Sequence, residues 1–476
     1  MQQTEQAVRD SNRLKLSTLS EQCEELEINT DPAVLESHGS DWTRFRTPAP
    51  LAVVFPRSNE EVVTLVKVAA QHNIALVPSG GRTGLSGGAV ADQHEVVVSF
   101  DRMRSILDFN PVDRTLTVEP GVVTQTIQEY AAQHDLYYPV AFASQGSSQI
   151  GGNIATNAGG IRVLRYGLTR EWVAGLKVVD GHGNLLECNH GLVKNASGYD
   201  FRHLMIGSEG TLGLIVEATL RLADVPVASR VMLLAVSDLS SMMQVFRKYN
   251  DALTLTAFEF LSDQAMHHVR EGHGLAAPMD ADSPYYALLE FECLDDAQEE
   301  TALLCFEQGL EDGSVTDGVI SQSEQQAADL WQYREGISEA ITKYTPYKND
   351  LSVRISDVPE YLDALDQLIK SQYPQFEVLW YGHIGDGNLH MNILKPADMT
   401  TSEFEAACQE VNPLIFGLTR DFEGSISAEH GIGLLKQPYL AYSRSDAEME
   451  LMRGVKAVFD PFGILNPGKL LAVQKS

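Results

Sequence analysis

A turn flanked by two histidines, His-Ile-Gly-Asp-Gly-Asn-Leu-His at residues 383–390, restricts the fold of this chain more than any other segment. Its central Asp-Gly pair is a strong signal for a two-residue β-hairpin turn, and that turn sets which residues face each other. His383 should therefore face His390, and Tyr381 should face Asn392 on the same side of the hairpin. Two opposed imidazoles predict a clamp for a divalent metal ion; the alternative is a pair that only packs or hydrogen-bonds at a sheet surface.

A second polar segment, residues 425–433, places a carboxylate beside a third imidazole, at Glu429 and His430. Burying either group without a partner would be energetically unfavourable. If the segment is extended, adjacent side chains point in opposite directions, and Glu429 should complete a His/His/Glu metal set while His430 faces a reacting substrate. The alternative is an exposed Glu-His pair, and the two segments support each other only if the fold brings them together.

The composition indicates a globular chain with more than one domain. Its 476 residues, 44% of them hydrophobic, are enough for about two or three domains. The formal net charge of -30 argues against nucleic-acid binding and against docking on anionic lipid. An anionic substrate would therefore have to be held by local cations.

The cysteines and the hydrophobic pattern indicate a cytoplasmic location. The five cysteines form no C-x-x-C pair, so neither a thiolate metal site nor a disulfide framework is suggested. Residues 1–20 are polar and lack the apolar stretch of a signal peptide, and no later apolar run is as long as a membrane-spanning helix. We expect a reducing compartment and no integral membrane segment.

Local sequence patterns divide the chain into four parts. After an N-terminal arm, residues 1–47, short β-branched strands alternate with helical stretches over residues 48–224. Longer amphipathic helices between strands follow over residues 225–437. Residues 438–476 form a C-terminal segment with one last helix.

Capping signals predict where two helices begin. Ser402 with Glu405 is a candidate capping box for a long helix in the third part. Ser445 with Glu448 is another, for the last helix. The last helix would present one apolar stripe made of Leu451, Val455, Val458 and Phe459.

Three glycine-rich blocks lie at residues 78–88, 151–160 and 207–213. Glycines let backbone amides approach an anion where side chains would block it, so the first block resembles a pyrophosphate cradle. It is not a P-loop, because no Gly-Lys-Ser/Thr follows, and it lacks the G-x-G-x-x-G spacing of the dinucleotide-binding βαβ unit. Any one block could be a set of tight turns, but three in one part of the chain predict a long ligand such as a flavin dinucleotide.

The order of these motifs resembles that of a known family. The glycine-rich blocks, the histidine hairpin, Ala-Glu-His-Gly at residues 428–431 and Asn-Pro-Gly-Lys at residues 466–469 are together similar to FAD-linked D-2-hydroxyacid dehydrogenases. These enzymes belong to the vanillyl-alcohol oxidase/p-cresol methylhydroxylase superfamily, and the resemblance is greatest to its D-lactate and D-2-hydroxyglutarate dehydrogenases. It covers nearly all of the chain beyond about residue 47.

The resemblance implies an α+β fold with three parts. A two-lobed FAD-binding domain of the p-cresol methylhydroxylase type would occupy residues 48–224. A substrate- and metal-binding cap built on an antiparallel sheet would occupy residues 225–437. Residues 438–476 would form a helical segment that returns to the flavin.

The resemblance also places FAD on particular residues. Those expected at the cofactor are Pro78, Gly80, Gly81, Arg82, Thr83 and Gly84 at the pyrophosphate, Ser147, Gly152, Asn153, Thr156 and Gly160 along its length, Ile215 near the adenine and Asn466 near the flavin ring. The Arg-Thr-Gly position carries no histidine, to which some relatives attach FAD covalently. FAD is therefore expected to be bound noncovalently.

Four residues besides His430 are expected to hold the substrate. Arg334 and Ser338 are four apart and would share one helix face, which suits the grip on a carboxylate. The resemblance adds Lys348 and Asn392. Ser338 stands where the hydroxyglutarate enzymes usually have threonine, which leaves the preferred substrate length open. The alternative for both cations is an exposed, solvated position.

Oxidation of a 2-hydroxy acid needs a base, an electron acceptor and carboxylate anchors, and the resemblance implies a candidate for each. FAD would accept the hydride from C2, and His430 would take the hydroxyl proton. A zinc ion, or manganese or cobalt in its place, would be held by His383, His390 and Glu429 and would polarise the hydroxyl.

The implied activity is the oxidation of a D-2-hydroxy acid to the 2-oxo acid. Two separated cations favour a dicarboxylate, D-2-hydroxyglutarate, and the lack of an NAD fingerprint favours an electron-transfer flavoprotein or a quinone as electron acceptor. A D-lactate dehydrogenase with a cytochrome or quinone acceptor and a glycolate oxidase-type flavin subunit are alternatives.

Two further interpretations come from other functional classes. One is a noncatalytic FAD electron-relay subunit. The other is a metal hydrolase, which is disfavoured because the chain has no H-E-x-x-H motif and because the glycine-rich blocks would be unexplained. The sequence does not fix the oligomeric state, and a homodimer stays open.

Overall fold

The computed structural model describes residues 2–43, 46–280 and 282–473, and the chain divides into two compact units. The first unit comprises Met1–Ala158, Leu168–Val225 and Glu429–Ser476, and the second comprises Gly159–Gly167 and Pro226–Ala428. The first unit thus contains both the start and the end of the chain. The domain boundaries at residues 47, 224 and 437 rest on sequence patterns and stay a prediction.

The strands of the first unit form three sheets. One sheet has the order β1-β2-β4-β3 and consists of β1 (Glu27–Asn29), β2 (Ala52–Phe55), β3 (Leu76–Ser79) and β4 (Val96–Ser99), with β2, β4 and β3 parallel. An antiparallel sheet has the order β5-β6-β10-β8-β9 and consists of β5 (Ile106–Asn110), β6 (Thr115–Val118), β8 (Val173–Val179), β9 (Leu185–Cys188) and β10 (Leu214–Arg221). The third sheet pairs β7 (Leu136–Tyr137) with β11 (Ala223–Asp224).

Helices of varied length accompany these strands. They are α1 (Gln2–Gln22), α2 (Pro32–His38), α3 (Asn59–His72), α4 (Thr124–Ala132), α5 (Ile150–Thr156), α7 (Thr169–Trp172), α8 (Arg202–Met205) and α16 (Asp446–Phe459), with a 3-10 helix at Gln437–Tyr442. Val54 of β2 and Val96 and Val98 of β4 share a core with the buried Leu65 of α3. Leu465 forms a parallel bridge to Leu76 and lies in the same core, so the end of the chain completes the lobe that carries the first glycine-rich block.

The second unit is built on one seven-stranded sheet in which each pair of neighbouring strands is antiparallel. Its order is β15-β12-β14-β13-β17-β18-β16. The strands are β12 (Ser229–Val236), β13 (Leu255–Ser262), β14 (Tyr285–Glu292), β15 (Val315–Ile320), β16 (Tyr347–Ser352), β17 (Val378–Gly382) and β18 (Asn388–Ile393). The expected α+β class with an antiparallel cap sheet is confirmed.

The helices of the second unit cover this sheet. They are α6 (Val163–Tyr166), α9 (Leu239–Ala252), α10 (Asp263–His273), α11 (Asp296–Asp312), α12 (Glu324–Glu335), α13 (Ile337–Ala340), α14 (Val358–Gln372) and α15 (Thr401–Asp421), with 3-10 helices at Thr342–Tyr344, Ile355–Asp357 and Ile384–Asp386. Side chains from α10, α12 and α13 pack with the sheet in one hydrophobic cluster. Across the described ranges, none of the helices combines the length and apolarity that crossing a membrane requires.

The structure confirms one predicted capping box and corrects the other. α16 begins after Ser445, which forms its box with Glu448 as predicted. α15 begins after Thr400, which forms a box with Glu403, so the prediction of a box at Ser402 is wrong. Thr400 has the extended backbone of an N-cap and accepts from the Glu403 N–H, which places Ser402 already inside the first turn.

The apolar stripe predicted on α16 is only partly buried. Val455 and Phe459 pack into the core of the antiparallel lobe. Leu451 and Val458 stay exposed, with 71% and 69% of their surface accessible. One edge of the stripe therefore contacts the lobe, and the other edge does not.

The end of α16 supplies a buried ion pair that should stabilise the first unit. Asp460 is 2% exposed, accepts from the N–H groups of Ile464 and Leu465 at 3.0 and 2.8 Å, and pairs with Lys456. Burial lowers the pKa of Lys456, although the charge of Asp460 opposes that shift. The pair thus holds the C-terminal segment in the turn that leads it back to the sheet.

Replacing Asp460 with Ala should lower the free energy of unfolding of the first unit by about 3 kcal/mol, because a buried cation loses its partner. Urea unfolding followed by fluorescence measures this change. Glu450→Ala is the matched control, since Glu450 is an exposed carboxylate of the same helix, and it should change stability by less than about 0.5 kcal/mol. Equal unfolding midpoints for the two variants would contradict the assignment.

Candidate functional site

The first glycine-rich block leaves β3 and lines a cavity in the first unit. Most residues predicted to contact the cofactor lie in its wall: Pro78, Gly80, Gly81, Arg82, Thr83, Gly84, Gly152, Asn153, Thr156 and Ile215. Of the other predicted residues, Ser147 and Asn466 belong to the first unit outside the lining, and Gly160 belongs to the second unit.

Gly81 is required by a close backbone contact rather than by turn geometry. A β-carbon at this position would lie 2.2 Å from the carbonyl oxygen of Ser147. Ser147 therefore supports the glycine-rich loop from behind through its backbone. Gly152, by contrast, has open space where its β-carbon would be, which leaves backbone accessible in the cavity wall.

A carboxylate that the motifs did not reveal, Asp101, holds the cavity loops together. It accepts hydrogen bonds from Gln149 Nε2 at 2.7 Å, Arg104 at 3.0 Å and Arg82 NH1 at 3.4 Å, and His38 Nε2 lies at 3.2 Å. Burial opposes ionisation, but these hydrogen bonds and the charge of Arg82 outweigh it and hold the pKa of Asp101 well below its usual value. Asp101 is therefore a charged acceptor that joins the glycine-rich loop to the residue preceding α5.

Asn466 is fixed at the edge of the same cavity. Its Nδ2 donates to the carbonyl oxygens of Gly88 at 2.9 Å and Glu209 at 2.7 Å, and both of these residues line the cavity. Among the described residues, its buried Oδ1 has no hydrogen-bond partner. An oriented amide with an unmatched acceptor fits the predicted role beside a polar cofactor.

Glu209, from the third glycine-rich block, anchors the segment that follows His430. Its carboxylate accepts from the N–H groups of Ile432 at 2.8 Å and Gly433 at 2.7 Å. Burial raises the pKa of Glu209, although these hydrogen bonds and the charge of Lys436 oppose that shift. The glycine pattern of the block predicts a cofactor contact, but it carries no signal for this second contact.

Glu429 and His430 lie in the first unit, but not in the extended conformation that was expected. The chain bends at these residues, and Gly431 follows with φ 81°. His430 Nε2 lies 3.5 Å from Glu429 Oε1, so the two side chains contact each other rather than diverge. The segment is not extended, so the condition on which opposite directions were expected is not met. Their separate roles as metal ligand and base stay a prediction.

In the second unit the histidine hairpin forms, but its register differs from the prediction. Tyr381 faces His390, and Leu379 faces Asn392, in the pairing of β17 with β18. The predicted pairs, His383 with His390 and Tyr381 with Asn392, are therefore wrong. His383 lies beyond the end of β17.

A wider turn causes the change in register. After His383 the chain passes through the 3-10 helix at Ile384–Asp386 and then through Gly387, at φ 83°. The N–H of Asn388 donates to the carbonyl of His383 at 3.2 Å and closes this loop. A β-carbon on Gly387 would lie 2.2 Å from the carbonyl oxygen of Val353, so a side chain at this point of the turn would clash with a neighbouring segment.

The two imidazoles nevertheless lie together, as predicted. The ring centroids of His383 and His390 are 5.3 Å apart, and both side chains are buried. Each faces a buried carboxylate from a flanking strand: His383 Nδ1 donates to Glu259 Oε1 at 2.7 Å, and His390 Nδ1 lies 3.7 Å from Asp350 Oδ1. Imidazoles oriented by carboxylates are a donor set that suits zinc.

Arg334 is not a solvated surface cation. It is 7% exposed, its Nε donates to Glu259 Oε2 at 2.7 Å, and its guanidinium lies 4.8 Å from the ring centroid of Tyr381. Lys348, on β16, is partly buried and donates from Nζ to Ser338 Oγ at 2.7 Å. The exposed alternative is therefore wrong for Arg334.

Arg334 and Ser338 do not share one continuous helix. α12 ends at Glu335 and α13 begins at Ile337, with Gly336 between them. The backbone of Gly336 stays helical, at φ -72° and ψ -14°, so the two short helices follow one another closely. The two residues are four positions apart, but they belong to two successive short helices and not to one face of a single helix.

Asn392 is the polar side chain of this sheet that most clearly lacks a partner. It is 1% exposed, and neither Nδ2 nor Oδ1 has a hydrogen-bond partner among the described residues. It faces Lys348 across β16 and β18 and follows His390 on the same face of β18. Leaving a buried amide unpaired costs about 1–3 kcal/mol, so this position is suited to a polar ligand.

Replacing Asp101 with Asn should weaken binding of the expected flavin by about tenfold to a hundredfold, because a charged acceptor of several hydrogen bonds is lost. Fluorescence titration of flavin-free protein with FAD measures the affinity. The pKa of Asp101 in the folded protein is lower than in the unfolded chain, so Asp101 is ionised at every pH above its unfolded pKa. Its contribution to FAD binding should therefore be constant from about pH 5 to pH 8 and be lost only in stronger acid.

The exposed Asp113, in the turn between β5 and β6, provides the control for this variant. Asp113→Asn removes one carboxylate from the same unit but makes no contact with the cavity loops, so its FAD affinity should equal that of the unaltered chain. Identical FAD affinities for the two variants would show that Asp101 does not organise the cavity.

Curated relatives match this chain over nearly its whole length. The D-2-hydroxyglutarate dehydrogenase of Xanthomonas citri pv. viticola is 56% identical over 96% of this chain and 96% of its own length. That of Stutzerimonas stutzeri is 56% identical over 94% of this chain and 96% of its own. The mitochondrial D-2-hydroxyglutarate dehydrogenase of Bos taurus is 37% identical over 93% of this chain and 81% of its own.

Solved structures with low sequence identity share the fold. The 4-ethylphenol oxidase from Gulosibacter chungangensis superimposes with a TM-score of 0.77 at 15% identity, with 98% of each chain covered. A substrate-bound p-cresol methylhydroxylase superimposes with a TM-score of 0.76 at 12% identity, again with 98% of each chain covered. The expected p-cresol methylhydroxylase type of fold is confirmed.

Two domain families match the sequence directly. The FAD binding domain matches residues 50–189, and the C-terminal domain of FAD linked oxidases matches residues 225–470. FAD is thereby confirmed as the cofactor expected from the glycine-rich blocks. Given these matches and the relatives aligned along almost all of its length, the chain belongs to the family of FAD-linked oxidases.

Proposed function

We propose that this chain oxidises D-2-hydroxyglutarate to 2-oxoglutarate with noncovalently bound FAD and a divalent metal ion. The names of the relatives that are 56% identical support the substrate. The observation that carries the proposal is the buried amide of Asn392, which lacks a partner among the described residues and lies on the same sheet face as Lys348 and His390. A polar ligand is needed there to satisfy it.

Two cations of the second unit favour a dicarboxylate over lactate. Arg334 is held by Glu259 and Tyr381, which leaves its position well defined. Lys348 is held by Ser338, and the side chains of Lys348 and Asn392 face each other in register. Because the whole chain carries a formal charge of -30, these local cations have to bind an anionic substrate against an unfavourable overall field.

The chemistry is divided between the bound groups and the side chains. When bound, FAD supplies the two-electron acceptor, and a zinc, manganese or cobalt ion held by His383, His390 and Glu429 supplies a Lewis acid. His430 takes the proton from the substrate hydroxyl, since an imidazole is well suited to accept a proton near neutral pH. Arg334, Lys348 and Asn392 orient the carboxylates.

The residue that precedes Glu429 in the chain supports the proposed role of Glu429 as a metal ligand. The N–H of Ala428 donates to the backbone carbonyl of Asp350 at 3.3 Å, and Asp350 pairs with His390 in register. Glu429 is the next residue after Ala428.

We assign the electron acceptor to an electron-transfer flavoprotein or a quinone, because the chain lacks an NAD fingerprint.

Anaerobic mixing with substrates tests the proposed reaction. D-2-Hydroxyglutarate should bleach the flavin absorbance faster than D-lactate, and L-2-hydroxyglutarate should leave it unchanged. Stopped-flow absorbance gives the reduction rates. Faster reduction by D-lactate would favour the alternative substrate, and no reduction by any hydroxy acid would leave an electron-relay subunit as the better interpretation.

Replacing His430 with Asn should keep FAD bound but slow its reduction by about a hundredfold or more, because the proton acceptor is lost. The anaerobic reduction rate at saturating substrate is the measurement. His203→Asn, which alters a more exposed histidine of the same unit, is the control and should reduce at the normal rate. A normal reduction rate in His430→Asn would remove His430 from the role of base.

A further inference from the structure

Glu259, on β13, is a buried carboxylate to which sequence analysis assigned no role. It is 1% exposed, and its two oxygens bind different partners. Oε2 accepts from Arg334 Nε at 2.7 Å, and Oε1 lies 2.7 Å from His383 Nδ1. One carboxylate therefore joins the proposed substrate anchor to the proposed metal ligand.

The contact with Glu259 decides which nitrogen of His383 carries the proton. A carboxylate paired with a guanidinium can only accept hydrogen bonds, so at 2.7 Å the facing Nδ1 must be the donor. A neutral imidazole with the proton on Nδ1 has its lone pair on Nε2. Only a nitrogen with a lone pair can bind a metal ion.

The second histidine of the hairpin lies farther from the carboxylate that it faces. His390 Nδ1 is 3.7 Å from Asp350 Oδ1, which is longer than a hydrogen bond, and Asn388 Nδ2 donates to the same oxygen at 2.8 Å. The Asp350 contact therefore does not fix the tautomer of His390 as the Glu259 contact fixes that of His383. The two buried carboxylates have unequal roles.

We propose that Glu259 is a positioning residue that holds His383 in its Nδ1-protonated tautomer and so prepares Nε2 for the metal ion. This inference rests on the proposed function, because it needs the metal ion assigned there. Glu259 touches neither the substrate nor the cofactor in this role. It acts through His383, and its pairing with Arg334 keeps it an acceptor.

The variant Glu259→Gln reverses the hydrogen bond with little change of shape. The amide oxygen can still accept from Arg334, which leaves the amide N–H group facing His383 Nδ1. Nδ1 must then accept, the imidazole proton moves to Nε2, and the metal-binding lone pair is lost. We expect the affinity for zinc to fall by about tenfold to a hundredfold.

The matched control is Glu290→Gln on the neighbouring strand β14. Glu290 is also a buried carboxylate, 4% exposed, paired with Arg162 and hydrogen-bonded to Trp331 and Thr256, but not to a histidine. It should show the same general cost of removing a buried charge and an unchanged zinc affinity.

Zinc affinity is measured on flavin-loaded, metal-stripped protein by competition with a chromophoric chelator, so the readout does not depend on turnover. A weakened affinity in Glu259→Gln alone supports the inference. Equal zinc affinity in the unaltered chain and Glu259→Gln overturns it. No zinc binding by the unaltered chain would instead overturn the metal assignment in the proposed function.

A second measurement holds even if Glu259→Gln does not fold. Nitrogen-15 NMR of histidine-labelled, metal-stripped protein distinguishes the two neutral tautomers, and comparison with His383→Gln assigns the signal. We expect the proton of His383 on Nδ1. A proton on Nε2 in the unaltered chain would overturn the inference.

Discussion

The pairing of β17 with β18 is the interaction on which the second unit depends. Side chains alternate along a strand, so this register sets which residues share a face. In the neighbouring pairing of β18 with β16, His390 lies opposite Asp350 and Asn392 lies opposite Lys348, so these side chains share one face of the sheet. If the register of the pairing of β17 with β18 shifted by one residue, the polar side chains would turn to the opposite face of the sheet, which carries Trp380. The polar cluster would then be dispersed.

Burying the polar side chains on this face of the sheet is energetically unfavourable, and this suggests that they serve the function of the protein. Glu259 and Asp350 are 1% and 0% exposed, and removing each carboxylate from water costs several kcal/mol before Arg334 and Asn388 repay part of it. Apolar side chains of similar size would be at least as stabilising there. Together with the unsatisfied amide of Asn392, this indicates that chemistry rather than stability explains these residues.

In the first unit the backbone of the glycine-rich loops lines the cavity, and buried carboxylates hold that backbone in place. Asp101 joins the glycine-rich loop to the start of α5, and Glu209 ties the segment after His430 to the cavity wall. Neither residue stands out in the sequence, because the contacts by which each joins the cavity loops are made with segments distant in the chain. The glycines do stand out, because their requirement is local.

Local interactions explain what the sequence by itself determined: the glycine-rich loops, the capping box at Ser445 and the presence of a hairpin with two neighbouring histidines. The α+β class followed from the resemblance of the motifs to a known family. The register of that hairpin was decided by the tertiary structure, in which Gly387 packs against the carbonyl of Val353 and the chain turns more widely than an Asp-Gly pair alone predicts. The partner of His383 was decided in the same way. Glu259 reaches it only because β13 and β17 are neighbours in the sheet, and sequence spacing carries no record of which distant strands will pair.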